Sequence, residues 1–519
     1  MQKSHTASRA SNRLRAGLSP QVSRWRTTLV TIGSLIVAGA LVGVASPLGV
    51  GSAAPLAAAA APESKTPVAA AAAVAGPQTV VSLTFDDGDA NQVAAAEKLN
   101  TLNLDGTFYI ISGYVGAQDY MTRAQVDALA AAGHEIGGHT VNHSDLATLP
   151  ADEVSRQICN DRAVLTSWGY TVRSFAYPFA SSTPAVEAAA QACGYNSARM
   201  LGDIQSRFGC DDCDFAETLP PQSSYYTRAL DQVESSWTLD DLKTSVTNAE
   251  QNGGGWVQLT FHNICDSGCG DPTTTPAIFN AFAEWLAARS QTNNTVVKTV
   301  GDAIGGGAQP VVTGPTTPAA GPGVNAVVNP SMETPGLVGL PDCWMQGGYG
   351  ANTPGYSVVS PGRTGGTAGK VTMTGYTDGD AKLLPQFDGG SCSPTVVPGH
   401  SYSLRAWYTS TAVTQFTVYL RTDSGAWQYW TSSPWFNASS TYTEAVWETP
   451  TIPAGMSGIS YGLNIFSNGE ITTDDYSLYD AVGAPAPGQS AQVAAPIPVR
   501  PAVKGPIEVH INAPHGTAH

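Results

Sequence analysis

Two adjacent carboxylates close the first strand-like run of the sequence. The run Thr79–Phe85 is followed directly by Asp86, Asp87 and Gly88. Because strand side chains alternate between faces, neighbouring carboxylates at a strand end point in different directions. One of them can therefore bind a metal ion while the other stays free to accept a proton. Asp-Asp-Gly is also good turn chemistry, so the pair alone leaves a plain turn open.

Three histidines supply further groups of the same kind. His139 and His143 have i, i+4 spacing, which puts both imidazoles on one face if the segment turns helically. His262 follows Trp256–Phe261, a buried-strand pattern. Taken alone, the pair is explained equally well as two surface histidines, and a lone histidine at a strand end is more often structural. However, every candidate follows a predicted strand, and ligands and catalytic groups gather beyond the carboxyl ends of strands in βα folds. Together the residues indicate a metal-assisted hydrolase.

The elements that must position these residues alternate between strands and helices. The predicted strands are 79–85, 107–111, 135–138, 174–177, 256–261 and 296–300, and the predicted helices are 91–102, 122–132, 151–168, 184–193, 239–251 and 276–290. Thr122 is the expected N-cap of the second helix, and Gly133 is expected to end it. Repeated βα units predict a parallel sheet or barrel over residues 78–305.

The remaining segments have different compositions. Basic residues from Lys3 to Arg26 precede the first acid, Glu63, and an apolar run covers 29–44. Residues 1–53 therefore read as an export signal, or as an uncleaved N-terminal anchor, and predict a secreted protein that is extracellular or associated with the cell wall. Residues 54–77 form an Ala/Pro linker. The chain shows no other membrane-spanning pattern.

The second half of the chain predicts a different architecture. A Pro/Thr/Gly linker at 306–325 is expected to be extended and flexible. Short alternating runs over 326–484 predict an antiparallel β-sandwich. Six of the eleven Trp lie here, as Trp344, Trp407, Trp427, Trp430, Trp435 and Trp447. They suit either stacking on sugar rings or packing in the core. Residues 485–519 form a Pro-rich tail that we expect to be disordered.

Charge and cysteine content limit the class of protein. The net charge of −16 argues against nucleic acid as a partner, because phosphate binding needs a basic face. Eight cysteines favour disulfides in an exported protein, with Cys343 pairing with Cys392. The other six allow fifteen connectivities. Cys210-x2-Cys213 and Cys265-x3-Cys269 leave a structural zinc open as the alternative.

Four motifs together resemble those of the polysaccharide deacetylases, the NodB homology domain of carbohydrate esterase family 4. They are Thr84–Gly88, His139–His143, Phe175–Ala180 and Leu259–His262, and they occur in the family's order. The resemblance covers residues 78–305. It implies a distorted (β/α) barrel that binds one divalent metal, usually zinc, through one Asp and two His.

Carried over by position, the resemblance assigns a role to each candidate. Asp87, His139 and His143 would bind the metal, Asp86 would be the general base and His262 the general acid. The backbone amide of Phe179 would help to hold the oxyanion. A metal with three protein ligands keeps an open position that polarises the acetyl oxygen and lowers the pKa of water, which makes amide hydrolysis feasible at neutral pH.

One motif departs from the usual pattern. Many relatives carry an Arg that steadies the base at the place of Ala176. Arg173 and Tyr177 are the candidate supporting residues here, although Arg173 could equally be a surface residue.

The predicted sandwich resembles jelly-roll carbohydrate-binding modules more weakly. Some of those modules hold a structural calcium through an early Glu and a late Asp, which would be Glu333 and Asp475.

The sequence thus predicts a secreted, metal-dependent polysaccharide deacetylase that acts on N-acetyl groups of N-acetylglucosamine polymers, chitin-like or peptidoglycan. Acetylxylan esterase is the alternative enzyme, since the same machinery cleaves esters. A catalytically weak glycan- or wall-binding protein is the alternative without turnover. The polysaccharide is the only partner predicted, and the sequence leaves the oligomeric state open.

Overall fold

The computed structural model describes residues 77–290, 292–336 and 339–488. The predicted export signal, nearly all of the Ala/Pro linker and residues 489–519 of the predicted tail lie outside these ranges. In the ranges described, no helix is long and apolar enough to cross a membrane.

A curved parallel sheet forms the first half of the molecule. Its strands are β1 (Thr79–Phe85), β2 (Thr107–Ile110), β3 (Glu135–Gly138), β4 (Ser174–Ala176), β5 (Ser197–Arg199), β6 (Gly255–Phe261) and β9 (Thr295–Val297), and a separate two-stranded pair is formed by β7 (Asn263–Ile264) and β8 (Thr273–Thr274). The strand order is β5-β4-β3-β2-β1-β6, and β9 pairs with the first three residues of β1. This arrangement confirms the predicted distorted barrel of parallel βα units.

The barrel closes without a regular strand between β5 and β6. The segment 217–233 fills this gap through isolated bridges from Glu217 to Trp256 and from Arg199 to Thr227. Further along, the Val233 amide donates to the Thr260 carbonyl at 2.8 Å. The carboxyl ends of β5 and β6 are thereby held facing one another across the mouth of the barrel.

Eight α-helices accompany the sheet in the described ranges. They are α1 (Val93–Thr101), α2 (Arg123–Ala132), α3 (Ala151–Ser155), α4 (Asp161–Ser167), α5 (Pro184–Ala192), α6 (Leu239–Gln251), α7 (Pro276–Arg289) and α8 (Val300–Ile304). Thr122 caps α2 in a capping box with Gln125, and Gly133 ends it at a φ of 107°, as the sequence predicts. The helix predicted over 151–168 is interrupted by a π-helical segment, Arg156–Asn160.

Stacked aromatic rings form the core under the carboxyl end of β1. The rings of Phe85 and Phe108 lie 4.4 Å apart, and Phe261 and Phe279 pack against Phe85. All four are fully buried. Burying a side chain of this size contributes about 1.5–3 kcal/mol, so the strand ends that carry the candidate residues rest on a rigid base.

The second half confirms the predicted all-β sandwich. Its strands are β10 (Trp344–Tyr349), β11 (Thr353–Val359), β12 (Ala368–Thr374), β13 (Asp380–Pro385), β14 (Tyr402–Ser410), β15 (Phe416–Thr422), β16 (Trp427–Ser432), β17 (Ser439–Glu448), β18 (Met456–Ile465) and β19 (Gly469–Asp480). They form two antiparallel sheets ordered β10-β13-β18-β15-β16 and β11-β12-β19-β14-β17. Trp344 lies in the buried core between them, whereas the side chain of Trp435 is 54% exposed.

All eight cysteines form disulfides, so the alternative of a structural zinc at the two short cysteine spacings is wrong. Cys343 pairs with Cys392 as predicted. The other pairs are Cys159–Cys193, Cys210–Cys213 and Cys265–Cys269.

The segment predicted as a flexible linker is instead anchored to the barrel. Arg162 donates to the carbonyls of Gln309 and Pro310 at 2.7 and 2.9 Å. Arg156 donates to the Pro315 carbonyl at 2.9 Å, and the Gly314 amide donates to Asn160 Oδ1 at 2.8 Å. The prediction of flexibility was wrong because buried polar groups of α4 and the π-helical segment bind the backbone of this segment, which has no regular partner of its own.

Candidate active site

Three side chains converge at the carboxyl ends of β1 and β3. Their candidate ligand atoms, from Asp87, His139 and His143, all lie within 4.8 Å of one another. Asp87 Oδ1 is 3.4 Å from His139 Nε2 and 3.3 Å from His143 Nε2. The structure thus brings together the three residues that the sequence predicts as metal ligands.

The loop that carries the two histidines does not turn helically. Thr140 and His143 have φ values of 69° and 51°, in the left-handed region, and Asp87 has a φ of 73°. Left-handed backbone costs a non-glycine residue about 1–2 kcal/mol. It persists only where surrounding contacts hold the chain in place, and such positions cluster at functional sites. The histidines therefore meet through a tight loop and not through helical periodicity.

The hydrogen bonds of the cluster suit a divalent cation. His139 Nδ1 lies 2.8 Å from the Ala176 carbonyl, which can only accept, so Nδ1 donates and Nε2, which faces Asp87, is left as the candidate ligand atom. Burial lowers the pKa of His143 to about 4, which keeps its imidazole neutral at neutral pH. Asp87 Oδ1 is buried without a hydrogen-bond partner. One carboxylate and two imidazoles whose Nε2 atoms face it form a donor set that fits zinc.

Asp86 lies beside this cluster and is paired with a residue that sequence reasoning missed. Its carboxylate is 2% exposed, and its Oδ2 forms an ion pair with Arg199 Nη2. The Arg199 Nη1 donates to Thr260 Oγ1 at 2.9 Å, and the guanidinium lies 5.3 Å from the centre of the Tyr109 ring. Arg199 is therefore held from two further sides, and it fixes the orientation of the Asp86 carboxylate.

His262 approaches Asp86 from the end of β6. Its Nε2 is 3.9 Å from Asp86 Oδ2. Because β6 lies next to β1 in the sheet, His262 comes to the site from the side opposite β3 and its histidines. A group bound at the metal cluster would have Asp86 and His262 within reach.

Phe179 lies at the rim of the same site. Its ring centre is 4.6 Å from that of His143, and its side chain is 49% exposed. Its backbone is left-handed, with a φ of 57°. The predicted oxyanion role of its amide stays a prediction.

The two predicted supporting residues do not contact the base. Arg173 forms an ion pair with Asp302 at 2.9 Å, near the start of α8. The Tyr177 hydroxyl donates to the Tyr225 carbonyl at 2.9 Å. Assigning either residue to support Asp86 is therefore wrong, because both are engaged elsewhere while Arg199 fills that place.

Glu333 and Asp475 accept hydrogen bonds within the sandwich. Glu333 Oε1 accepts from the amides of Gly366 and Thr367, both at 3.0 Å. Asp475 pairs with Arg363 at 2.6 Å. Calcium binding by these two residues stays a prediction.

Comparison with known proteins finds similarity in the barrel half of the chain. Residues 73–198 match the family model described as polysaccharide deacetylase. A chitooligosaccharide deacetylase from Sinorhizobium fredii is 37% identical over 81 residues, which are 15% of this chain and 35% of the relative. A chitin deacetylase from Pestalotiopsis sp. is 37% identical over 89 residues, which are 17% of this chain and 29% of the relative. The chain thus spans about a third of the length of these curated relatives.

Among solved structures, the chain is similar to a family 4 carbohydrate esterase from Streptomyces lividans in complex with acetate. The identity is 17%, the TM-score is 0.29, and the match covers 43% of this chain and 93% of that one.

Proposed function

We propose, from the match of residues 73–198 to the polysaccharide deacetylase family model, that this protein is a secreted, metal-dependent deacetylase of N-acetylglucosamine polymers. The observation that carries the proposal is the placement of Asp86. It is buried beside the Asp87–His139–His143 cluster, ion-paired with Arg199 and faced by His262.

The residues of the chain divide the work of amide hydrolysis between them. Asp87, His139 and His143 would hold a divalent cation, which would supply Lewis-acid polarisation of the acetyl carbonyl and acidify water. Asp86 takes the proton from the attacking water, and Arg199 holds the Asp86 carboxylate in its orientation. The amide of Phe179 donates to the developing oxyanion. His262, when protonated, gives its proton to the leaving amine, which is a poor leaving group without one.

The substrate class follows from the relatives and from the chemistry. The named relatives are deacetylases of chitin and of chitooligosaccharides, whose acetyl groups are amides. We extend this to chitin-like polymers and peptidoglycan, in both of which N-acetylglucosamine carries the same group. Four disulfides fit an exported protein, and the sandwich would bind glycan through exposed aromatic side chains such as Tyr429 and Trp435.

Acetate release tests the proposal directly. The full chain is incubated in parallel with chitin oligomers, peptidoglycan and acetylxylan, with and without a chelator. We expect release from one of the first two substrates, loss with the chelator and recovery on adding zinc. Turnover that a chelator leaves unchanged would reject the metal mechanism, and release from acetylxylan alone would make the protein an esterase.

Two variants separate metal binding from proton transfer. Asp86→Asn should lose acetate release and keep its zinc, whereas His139→Ala should lose both. Full activity in Asp86→Asn, or undiminished zinc in His139→Ala by elemental analysis, would contradict the assigned roles.

A further inference from the structure

The sandwich touches the loop that carries the metal ligands. We define the ligand loop as residues 140–143 and the sandwich turn as residues 423–426, between β15 and β16. We propose that the sandwich turn positions the ligand loop, so that the β-sandwich is a structural part of the metal centre. This inference rests on the proposed function only in taking Asp87, His139 and His143 as the metal site.

The first contact is direct and tightly packed. A Cβ atom added to Gly425 would overlap the Val141 side chain, so backbone and side chain meet here without space between them. Val141 is 5% exposed. With the side-chain amide of Asn142 assigned so that its nitrogen faces the sandwich turn, this nitrogen lies 3.3 Å from the Gly425 carbonyl oxygen and can donate to it. Both residues lie between the two histidine ligands.

The second contact runs through the π-helical segment. The Gly389 amide of the sandwich donates to Glu153 Oε1 at 2.6 Å, and Gln157 Nε2 donates to the same oxygen at 3.0 Å. Gln157 Oε1 then accepts from the backbone amide of Asn142 at 3.0 Å, and the backbone carbonyl of Gln157 accepts from the backbone amide of Val141 at 3.2 Å. Glu153 and Gln157 are fully buried. A hydrogen-bonded path therefore links the sandwich to the ligand loop independently of Gly425.

The ligand loop needs such support. Thr140 and His143 are both left-handed, and a relaxed loop would move His143 away from Asp87. Residues that orient metal ligands from outside commonly change metal affinity by about 10–100-fold when they are substituted. Gly425, Gln157 and Glu153 are positioning residues in this sense.

A matched pair of glycine substitutions tests the direct contact. Gly425 has a φ of 91° and faces Val141, whereas Gly399, also in the sandwich, has a φ of 88° and nothing within 4 Å of its added Cβ. Alanine strains the backbone equally at both positions, but only Gly425→Ala pushes against the ligand loop.

Two readouts are measured on the full chain. One is the affinity for Co²⁺ and Zn²⁺ by competition with a chelator, together with the visible spectrum of bound Co²⁺. The other is amide hydrogen exchange of peptides that contain residues 139–143, without metal. We expect Gly425→Ala to bind metal about 10-fold or more weakly, with an altered Co²⁺ spectrum and faster exchange. Gly399→Ala should match the wild type in both.

A second variant guards against local misfolding of the turn. Gln157→Leu keeps the side-chain size but removes the acceptor for the Asn142 amide, and we expect the same two changes. Wild-type metal affinity and exchange in both Gly425→Ala and Gln157→Leu would overturn the inference. If the wild type bound no divalent cation, the proposed function would fail. The hydrogen-exchange data would then test this inference alone. Faster exchange of residues 139–143 in the two variants would support it, and unchanged exchange would overturn it.

Discussion

The Asp86–Arg199 pair fixes the orientation of the candidate base. Arg199 is 1% exposed, so its charge acts on Asp86 with little screening by solvent. We expect Arg199→Met to lower kcat for acetate release by about 100-fold or more, a size typical of lost general-base catalysis, and to leave zinc content unchanged.

Arg173 provides the control for this prediction. It is the arginine that the sequence favours, yet it pairs with Asp302 away from Asp86. Arg173→Met should keep kcat within about threefold of the wild type, since surface ion pairs contribute little. A large loss of kcat in Arg173→Met together with an active Arg199→Met would reverse the assignment.

Asp161 is a buried carboxyl whose ionisation opposes folding. Burial raises its pKa to about 7, although it accepts hydrogen bonds from the Ser112 amide and the Tyr195 hydroxyl. An unfolded Asp has a pKa of about 3.9. The protonated carboxyl therefore stabilises the folded protein fully below about pH 4, and this stabilisation is lost as the pH rises through about 7. Each unit by which the folded pKa exceeds the unfolded one corresponds to about 1.4 kcal/mol of unfolding free energy.

Asp161→Asn should remove this pH dependence. The free energy of unfolding of the wild type, relative to that of the variant, is expected to fall between pH 4 and pH 8. It is measured by urea unfolding at several pH values. A difference that stays constant over this range would show that Asp161 is ionised in the folded protein.

At the residue scale, the motifs pointed to Asp86, to His262 and to the three candidate ligands, which the structure brings together, but not to Arg199. The strand–helix pattern places each motif residue at a strand end, and the structure puts them there. Arg199 stands in a three-residue run without hydrophobic alternation, so no periodicity marked it as part of a strand. Its pairing with Asp86 depends on how the sheet curves, which adjacency in sequence does not reveal.

At the scale of elements, β3 ends in a glycine that its neighbours require. A Cβ atom on Gly138 would overlap the Tyr195 hydroxyl and the Asp161 carboxylate, and Gly138 directly precedes His139. We expect Gly138→Ala to lower the free energy of unfolding by about 1–3 kcal/mol or more, as overpacking of a core does.

Gly307→Ala is the matched control, because an added Cβ there meets nothing within 4 Å. Its unfolding free energy should stay within about 0.5 kcal/mol of the wild type. Equal stability of the Gly138 and Gly307 variants in urea would show that β3 can move to accept a side chain.

The elements themselves divide into those with strong local signals and those without. The helix α2 was predictable because Thr122 and Gly133 mark both of its ends. By contrast, β5 and the bridging segment 217–233 have no regular hydrophobic period. The strand β5 pairs with β4 over only three residues, and isolated bridges join the segment to the sheet. The π-helical segment Arg156–Asn160 likewise follows from the tertiary contacts of its side chains.

At the scale of the whole molecule, composition suggested two domains on a flexible tether. A Pro/Thr/Gly-rich stretch is usually a flexible spacer, and nothing local predicts that Arg156 and Arg162 bind its carbonyls. Two independently folding domains would unfold in two steps. The anchored segment and the Glu153 contact instead couple the barrel to the sandwich.

We therefore expect a single calorimetric unfolding transition for the wild type. Glu153 is fully buried and accepts from Gly389, Gln157 and Arg156, so Glu153→Ala leaves several buried donors without an acceptor. Each unsatisfied donor costs about 1–3 kcal/mol, which should separate the transition into two. Glu284→Ala, which removes a carboxylate that is 60% exposed and pairs with Lys98, should keep one transition. Two transitions in the wild type would show that the Glu153 contact and the anchored segment are too weak to couple the barrel to the sandwich. The sandwich would then unfold as an independent domain.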